Sequence, residues 1–487
     1  MWRWLAVALA IWCAQTAVVH ADAFQQAVDE ARTAYGERLE ELARWCDAQG
    51  LSREAGRTRD WIPRRDPNLI TVPALPAETD VLAAPAGLPP DVAEWHGRFT
   101  ALRQTQAREF YALSRRAIRA GRPSAAMGLL LAAARENPDD AGIRRALGQQ
   151  SFRGQWCTPY ELRRRRAGYV WDARFGWLPE AHLPRYERGE RLVGNRWVPA
   201  DEEARLRRDI RRGWVVETEH FSIRTNHSLE AGAALAADLE AFYRVWQQLF
   251  IGFRTSPAEI MARLDGRARA RTAEPPRHQV VLFRDHDDYV AALRPTFGNV
   301  EQSVGMYWDT ARRAYFFVGE EEQRRTTFHE ATHQLFAEAR PAVRGVGQGG
   351  NFWIVEGIAL YMESFREENG FWVLGGFDDL RMRAARYRLL EDDFYVPLAE
   401  LVTYTAADVQ GDPRIATLYS QFAGLTHFLI HGDGGRYREA LVEYLSAVYG
   451  GRDTSETLAQ LTGTPYDELD RQYREYMARG TATAATE

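Results

Sequence analysis

Lysine is absent: all 62 basic side chains of the 487-residue chain are arginine. They face 67 acids, which leaves a formal net charge of −5. Such a chain has no basic excess with which to neutralise a phosphate backbone, so bulk charge argues against nucleic acid as a partner. The densest basic run, Arg163 to Arg166, reads as a solvated helix face rather than an anion site. Cysteine is scarce too. Cys13, Cys46 and Cys157 are the full set, and none has a C-x-x-C partner, which excludes a thiolate metal cluster and a dithiol redox centre. Beyond residue 21 no apolar run approaches the roughly 20 residues of a spanning helix, so no transmembrane segment is expected in the mature chain.

What is present begins with "MWRWLAVALAIWCAQTAVVHADAF". Arg3 precedes an apolar run from Trp4 to about Val19, and Val19-His20-Ala21 offers small residues to a signal peptidase. Residues 1–21 therefore read as a cleaved secretory signal, with cleavage near Ala21 and a secreted or periplasmic destination. Gln15 and Thr16 interrupt the run and tell against a membrane anchor, and the bulky Trp12 tells against lipid attachment at Cys13. An oxidising compartment would permit a Cys46–Cys157 disulfide, worth on the order of 4–5 kcal/mol for so long a loop. The sequence leaves that pairing open.

The organisation that follows is α+β. Residues 22–61 read as an N-terminal helical segment, with Ala27, Ala31, Leu39, Leu42, Ala43 and Trp45 near helical spacing over 24–60. Residues 62–92 are rich in proline, which denies backbone donors, and read as an irregular extended linker. In residues 93–150 a helical pair places Gly121, Ala126, Leu130, Ala133 and Pro138 where a tetratricopeptide repeat has its small residues and closing proline. Leu147-Gly148 looks like the opening of a second copy. Local packing is the expected role of this TPR-like module, and protein-partner binding a secondary one. Residues 151–214 carry Trp156, Trp177, Trp197 and Trp214, roughly evenly spaced, each in a cluster that reads as a small β-hairpin with a buried indole. Ligand stacking by these tryptophans is the alternative. Residues 215–475 have the texture of one α+β domain: a strand pair in "WVVETEHFSIRTN", an amphipathic helix with Leu235, Leu239, Phe242 and Trp246 on one side, a buried strand "HQVVLFR" and a hairpin in "SVGMYWDTARRAYFFVG". Residues 476–487 read as a disordered tail.

The chemistry concentrates in "TTFHEATHQLFAE", residues 326–338. On a helix, residues four apart share a face, so His329 and His333 can present both imidazoles to one ion. Glu330 lies about 100° around, able to reach a water on that ion without ligating it. Zinc held by two imidazoles and a carboxylate keeps a fourth position open for such a water, whose acidity it raises. The third ligand is expected downstream, and "NFWIVEGIALYMESF" supplies Glu356 after 22 intervening residues. A glutamate among Trp353, Ile354, Ala359 and Leu360 needs a compensating partner, because burying a bare carboxylate costs several kcal/mol. Glu363, two turns on, has two readings: a carboxylate that orients a ligand histidine from behind, or a surface acid. His427 and His431 are also four apart but lack an intervening glutamate, and read as packed or capping residues of an apolar helix.

H-E-x-x-H followed by W-x-x-E-G-x-A-x-Y-x-E resembles the gluzincin zinc metallopeptidases, over roughly residues 215 to 450. The wording "FHEATHQLF" with the upstream hairpin and tryptophan clusters looks most similar to an uncharacterised, gluzincin-like family of secreted bacterial proteins of planctomycete type. The resemblance implies a gluzincin-like catalytic domain with one Zn2+ on His329, His333 and Glu356, Glu330 as general base, and a tyrosine that steadies the oxyanion. Tyr419 in "LYSQFAGLTHFLIHG" sits in a comparable setting, and Tyr404 competes with it. The glycine-methionine-glutamate-asparagine stretch with which aminopeptidases of this group hold a free amine is replaced here by "SVGMYWDTARRAYFFVG". The expected activity is therefore endopeptidase-like hydrolysis of a peptide or protein substrate, the strand at 313–318 aligning that substrate by backbone pairing. The alternative is a catalytically inactive scaffold that binds a partner at the cell envelope.

Overall fold

The computed structural model describes residues 2–62, 66–267, 276–319 and 321–479, with side chains described from Ala23 onward except at 321 and 322. The expected signal peptide lies outside the residues whose side chains are described. The architecture mixes helix and sheet, as the α+β reading requires. No described helix is long and apolar enough to cross a membrane. The chain divides into two compact units: residues 1–66, 72–159 and 255–270 form one, and residues 67–71, 160–254 and 271–487 the other. Residues 160–214 fold with the larger unit.

In the first unit α1 (Trp2–Ala48) and α2 (Ser52–Trp61) replace the single helix expected over 24–60. The break falls at Gly50, whose φ of 74° is left-handed backbone that glycine adopts without a Cβ clash. From residue 66 to the next helix the chain is irregular, as its prolines demand, apart from one strand, β1 (Leu69–Pro73), of which residues 69–71 belong to the larger unit. Helices α3 (Pro90–Arg119) and α4 (Pro123–Glu136) form the expected pair, each with proline in its first turn. Tyr35, Leu39, Leu42 and Cys46 of α1 bury against Ala55 of α2 and Trp95 and Phe99 of α3. The buried Glu136 carboxylate is compensated by the Tyr35 hydroxyl and the Trp61 indole N–H, both at 2.8 Å, and by Arg135 at 2.9 Å. No second repeat opens at Leu147-Gly148. After α5 (Ala141–Ala146) the chain enters a hairpin, β2 (Gln150–Phe152) with β3 (Gln155–Cys157). Cys46 and Cys157 are each buried and unbridged.

The larger unit begins with two more hairpins, β4 (Tyr169–Asp172) with β5 (Gly176–Pro179) and β6 (Glu190–Val193) with β7 (Arg196–Pro199). All four tryptophan clusters thus lie in hairpins, and the fourth differs only in belonging to a larger sheet: Trp214 opens β8 (Trp214–Glu217), which pairs antiparallel with residues 221–225. Trp156 and Trp214 are buried as expected, whereas Trp177 and Trp197 are half-buried. These two make edge-on ring contacts, Trp177 with Tyr160 and Trp171, Trp197 with His182 and Tyr186.

The main sheet also holds β9 (Phe221–Thr225), β10 (His278–Phe283), β11 (Met306–Trp308) and β12 (Arg313–Phe317), in the order β11-β12-β10-β9-β8. β10 runs parallel to both β9 and β12, while β8 and β11 are the antiparallel edges. Central β10 reads as a near-continuous apolar run because it is covered on both faces. β12 pairs with β10 along 313–317 but with β11 only over 313–315, so Phe316 and Phe317 are paired on one side alone, and β11 carries the rest of that edge. Helix α6 (Leu229–Leu249), capped by Ser228 through Ala231 N–H, is the expected amphipathic helix. It packs Phe242 on Phe328 of α7 (Glu321–Glu338), ring centroids 4.9 Å apart. The remaining elements that matter here are α8 (Phe352–Met362), β13 (Arg366–Glu368), β14 (Phe371–Gly375), α9 (Leu380–Leu390), α10 (Ile415–Gly435) and α11 (Tyr466–Arg479). β14 lies between β13 and β1 in a second sheet. The last helix runs past residue 476 to Arg479, so the expected tail is helical in its first four residues, and 480–487 lie outside the described residues.

Candidate metal centre

Helix α7 has two functions on two faces. Phe328, Ala331, Thr332, Leu335 and Phe336, spaced i, i+3, i+4, i+7, i+8, are all buried. Burial of Phe328, Leu335 and Phe336 contributes about 1.5–3 kcal/mol each. That stripe fixes the rotation of the helix and leaves His329, Glu330 and His333 on the flank, half-buried. Helix α8 is apolar all round, and every residue of it is buried except Glu356. Asn351, in left-handed conformation with φ 55°, starts it; its side chain donates to Asp453 at 2.8 Å and accepts from the Tyr444 hydroxyl.

The two helices bring three donors together. His329 Nε2 and His333 Nε2 are 3.2 Å apart, His329 Nε2 is 3.4 Å from Glu356 Oε2, and His333 Nε2 is 3.6 Å from Glu356 Oε1. A tetrahedral ion with bonds of 2.0–2.1 Å holds its donors about 3.3 Å apart, so the separations suit one cation. Among the described residues this is the one group of three His, Cys, Asp or Glu side chains placed to hold an ion. The donor chemistry fits as well: two imidazoles and a carboxylate, partly shielded, with side-chain exposures of 14, 17 and 13%.

Glu363 is not a surface acid. It is 5% exposed, and its Oε1 accepts from His329 Nδ1 at 2.9 Å. A carboxylate can only accept, so Nδ1 carries a proton and Nε2 is left to face the site. Arg381 donates to Glu363 through Nε at 2.8 Å and Nη2 at 3.0 Å, and Arg325 stands 3.5 Å away. Burial opposes the Glu363 charge, but the hydrogen bonds from His329 and Arg381 overcome it and hold the carboxyl below its ordinary range. Burial likewise opposes charge on His329, yet bonds to Glu356 and Glu363 push it up to about 10. Glu356 falls to about 2: burial raises it, and His333, His329 and the Tyr419 hydrogen bond more than offset that. His333 is pushed down, chiefly by burial.

Tyr419, on α10, lies close enough to Glu356 for each to shift the other's titration, and so reaches the site. Tyr404 does not: its hydroxyl is taken by Glu400. Glu330 Oε2 accepts the main-chain N–H of Tyr307 at 2.7 Å. His427 and His431 are packed residues, as expected. His427 bonds the Tyr476 hydroxyl at 2.8 Å, and His431 bonds the Tyr361 hydroxyl at 2.9 Å and the Pro67 carbonyl at 3.1 Å.

Three contributors were missed. Tyr307 acts through its backbone, which has no side-chain signature. Arg381 lies 18 residues beyond the glutamate it clamps, in a chain full of arginine. Gly357 allows α8 and α10 to touch: a Cβ there would stand 2.4 Å from Thr426 Oγ1 and 2.9 Å from the Phe422 carbonyl oxygen. Its place beside Glu356 was the available clue. No protein-family model matches the chain, and no curated protein matches it. What fold and site define on their own is a three-donor site that could hold a metal ion on two helices beside a mixed sheet.

Proposed function

We propose that this chain is a secreted zinc-dependent peptidase of gluzincin type that cleaves within peptide or protein substrates. The observation that carries this reading is the convergence of His329, His333 and Glu356 with a carboxylate, Glu330, that belongs to the same helix and is not among the donors. Two imidazoles and one carboxylate favour zinc, which when bound would act as a Lewis acid on a carbonyl and on water. Glu330 holds and moves the proton: one carboxylate oxygen takes it from water and returns it to the departing amine nitrogen. The Tyr419 phenol, burial and the Glu356 charge holding it protonated, donates toward the oxyanion. Glu363 keeps His329 in one tautomer and one orientation. The free edge of β11 lies beside Glu330.

Glu330→Gln separates binding from chemistry. The variant should keep one zinc per chain and lose casein hydrolysis by about 10²–10⁴-fold. Wild-type rates in Glu330→Gln would remove the proposed base, and an inert, metal-free wild type would favour the binding scaffold instead.

A further inference from the structure

β11 has three residues, sits at the sheet edge, and pairs with β12 alone. So short an edge strand is weakly held by its ladder. Its middle residue, Tyr307, instead grips α7 at two points. The main-chain N–H donates to Glu330 Oε2 at 2.7 Å, and the phenol donates to Glu338 Oε1 at 3.2 Å, two helical turns further along. Glu338 is itself fixed: its side chain is 5% exposed, His278 Nδ1 of β10 lies 2.9 Å from Oε2, Gln334 donates to Oε1 at 3.2 Å, and Arg312 stands 3.7 Å away. One side chain thus ties edge strand, helix and central strand together.

We propose that Tyr307 is the positioning residue of Glu330: its phenol, latched to Glu338, holds the strand in the register at which its N–H anchors one carboxylate oxygen and leaves the other to work. This rests on the peptidase reading for its catalytic consequence, though not for the latch. A carboxylate anchored by one backbone donor has lost its freedom to rotate before substrate arrives, which is how a fixed geometry raises kcat without changing binding.

The test uses the zinc-loaded full chain with casein as substrate, and amide hydrogen exchange over residues 305–309. Tyr307→Phe keeps the ring and removes the phenol contact; exchange at the Tyr307 amide should rise about tenfold, and kcat should fall about tenfold with KM within about twofold. Glu338→Gln retains an acceptor for the phenol and should stay within about threefold of wild type in both readouts. Unchanged exchange in Tyr307→Phe overturns the latch, and faster exchange with unchanged kcat overturns the positioning role. Should Tyr307→Phe fold poorly, exchange at Tyr307 in Glu330→Ala decides: acceleration supports the anchor, and no change refutes it. A wild type that hydrolyses nothing ends the peptidase reading and leaves the latch to the exchange measurement alone.

Discussion

Replacing Gly357 by alanine sets two effects of opposite sign against each other. The new Cβ would stand 2.4 Å from Thr426 Oγ1 and 2.9 Å from the Phe422 carbonyl oxygen, against an ordinary contact of 3.4 Å. The shortfalls, 3.4 − 2.4 and 3.4 − 2.9, are 1.0 and 0.5 Å. The threonine hydroxyl can rotate away, but Phe422 offers backbone, so α10 must withdraw by about half an ångström or α8 must bend. Overpacking of this kind costs about 1–3 kcal/mol, and a clash with backbone belongs near the upper end. Alanine in a helix interior returns about 0.8–1.0 kcal/mol of propensity. The net is a loss of about 1–2 kcal/mol, or roughly 1.5–3 °C in Tm for a unit of this size. Because Glu356 is adjacent and Tyr419 rides on α10, zinc affinity should weaken too. Calorimetric melts with and without zinc, followed by a zinc competition titration, check both. A Gly357→Ala protein that melts at or above wild type with unchanged affinity would show that the helices have room, and the close-approach reasoning would be wrong.

Two further outcomes follow from buried ionisable groups. His427 and His431 are 1% and 3% exposed, and burial holds His427 down at about 3 and His431 well below its ordinary value. Their unfolded forms take up protons below about 6.5 and the folded ones do not, so stability present above that pH is lost as pH falls toward 3. The loss is about 1.4 kcal/mol per pH unit for each. Urea melts between pH 7 and 5 should show His427→Gln falling less steeply than wild type by about that amount, and parallel slopes would contradict it. Glu363→Ala leaves His329 Nδ1 without its acceptor and should weaken zinc binding by about 10–100-fold, whereas an affinity within twofold of wild type would show that the Glu363 contact does not orient the ligand.

The parts legible in the sequence were those in which spacing and chemistry coincide. His329 and His333 four apart, and a lone carboxylate in an apolar helix at Glu356, each carry a periodic or compositional signature that survives without coordinates. The strands from 214 to 225 and from 278 to 283 are legible for the same reason, since alternation and an unbroken apolar run report sheet edge and sheet centre. Other features depend on which elements become neighbours. How much of 313–318 kept a free edge turned on β11 covering only 313–315, a long-range fact. The Glu363–Arg381 clamp and the Tyr307 anchor are contacts of backbone or of a common side chain, and arginine is too frequent here for any one to stand out.

The account rests on one cation shared by His329, His333 and Glu356. Metal analysis of dialysed protein resupplied with zinc, together with X-ray absorption at the zinc edge, tests this directly. One zinc per chain with nitrogen and oxygen neighbours near 2.0–2.1 Å, and loss of that zinc in Glu356→Ala, is the predicted result. A wild type that takes up no zinc, or a Glu356→Ala protein that binds it as wild type does, would contradict the account.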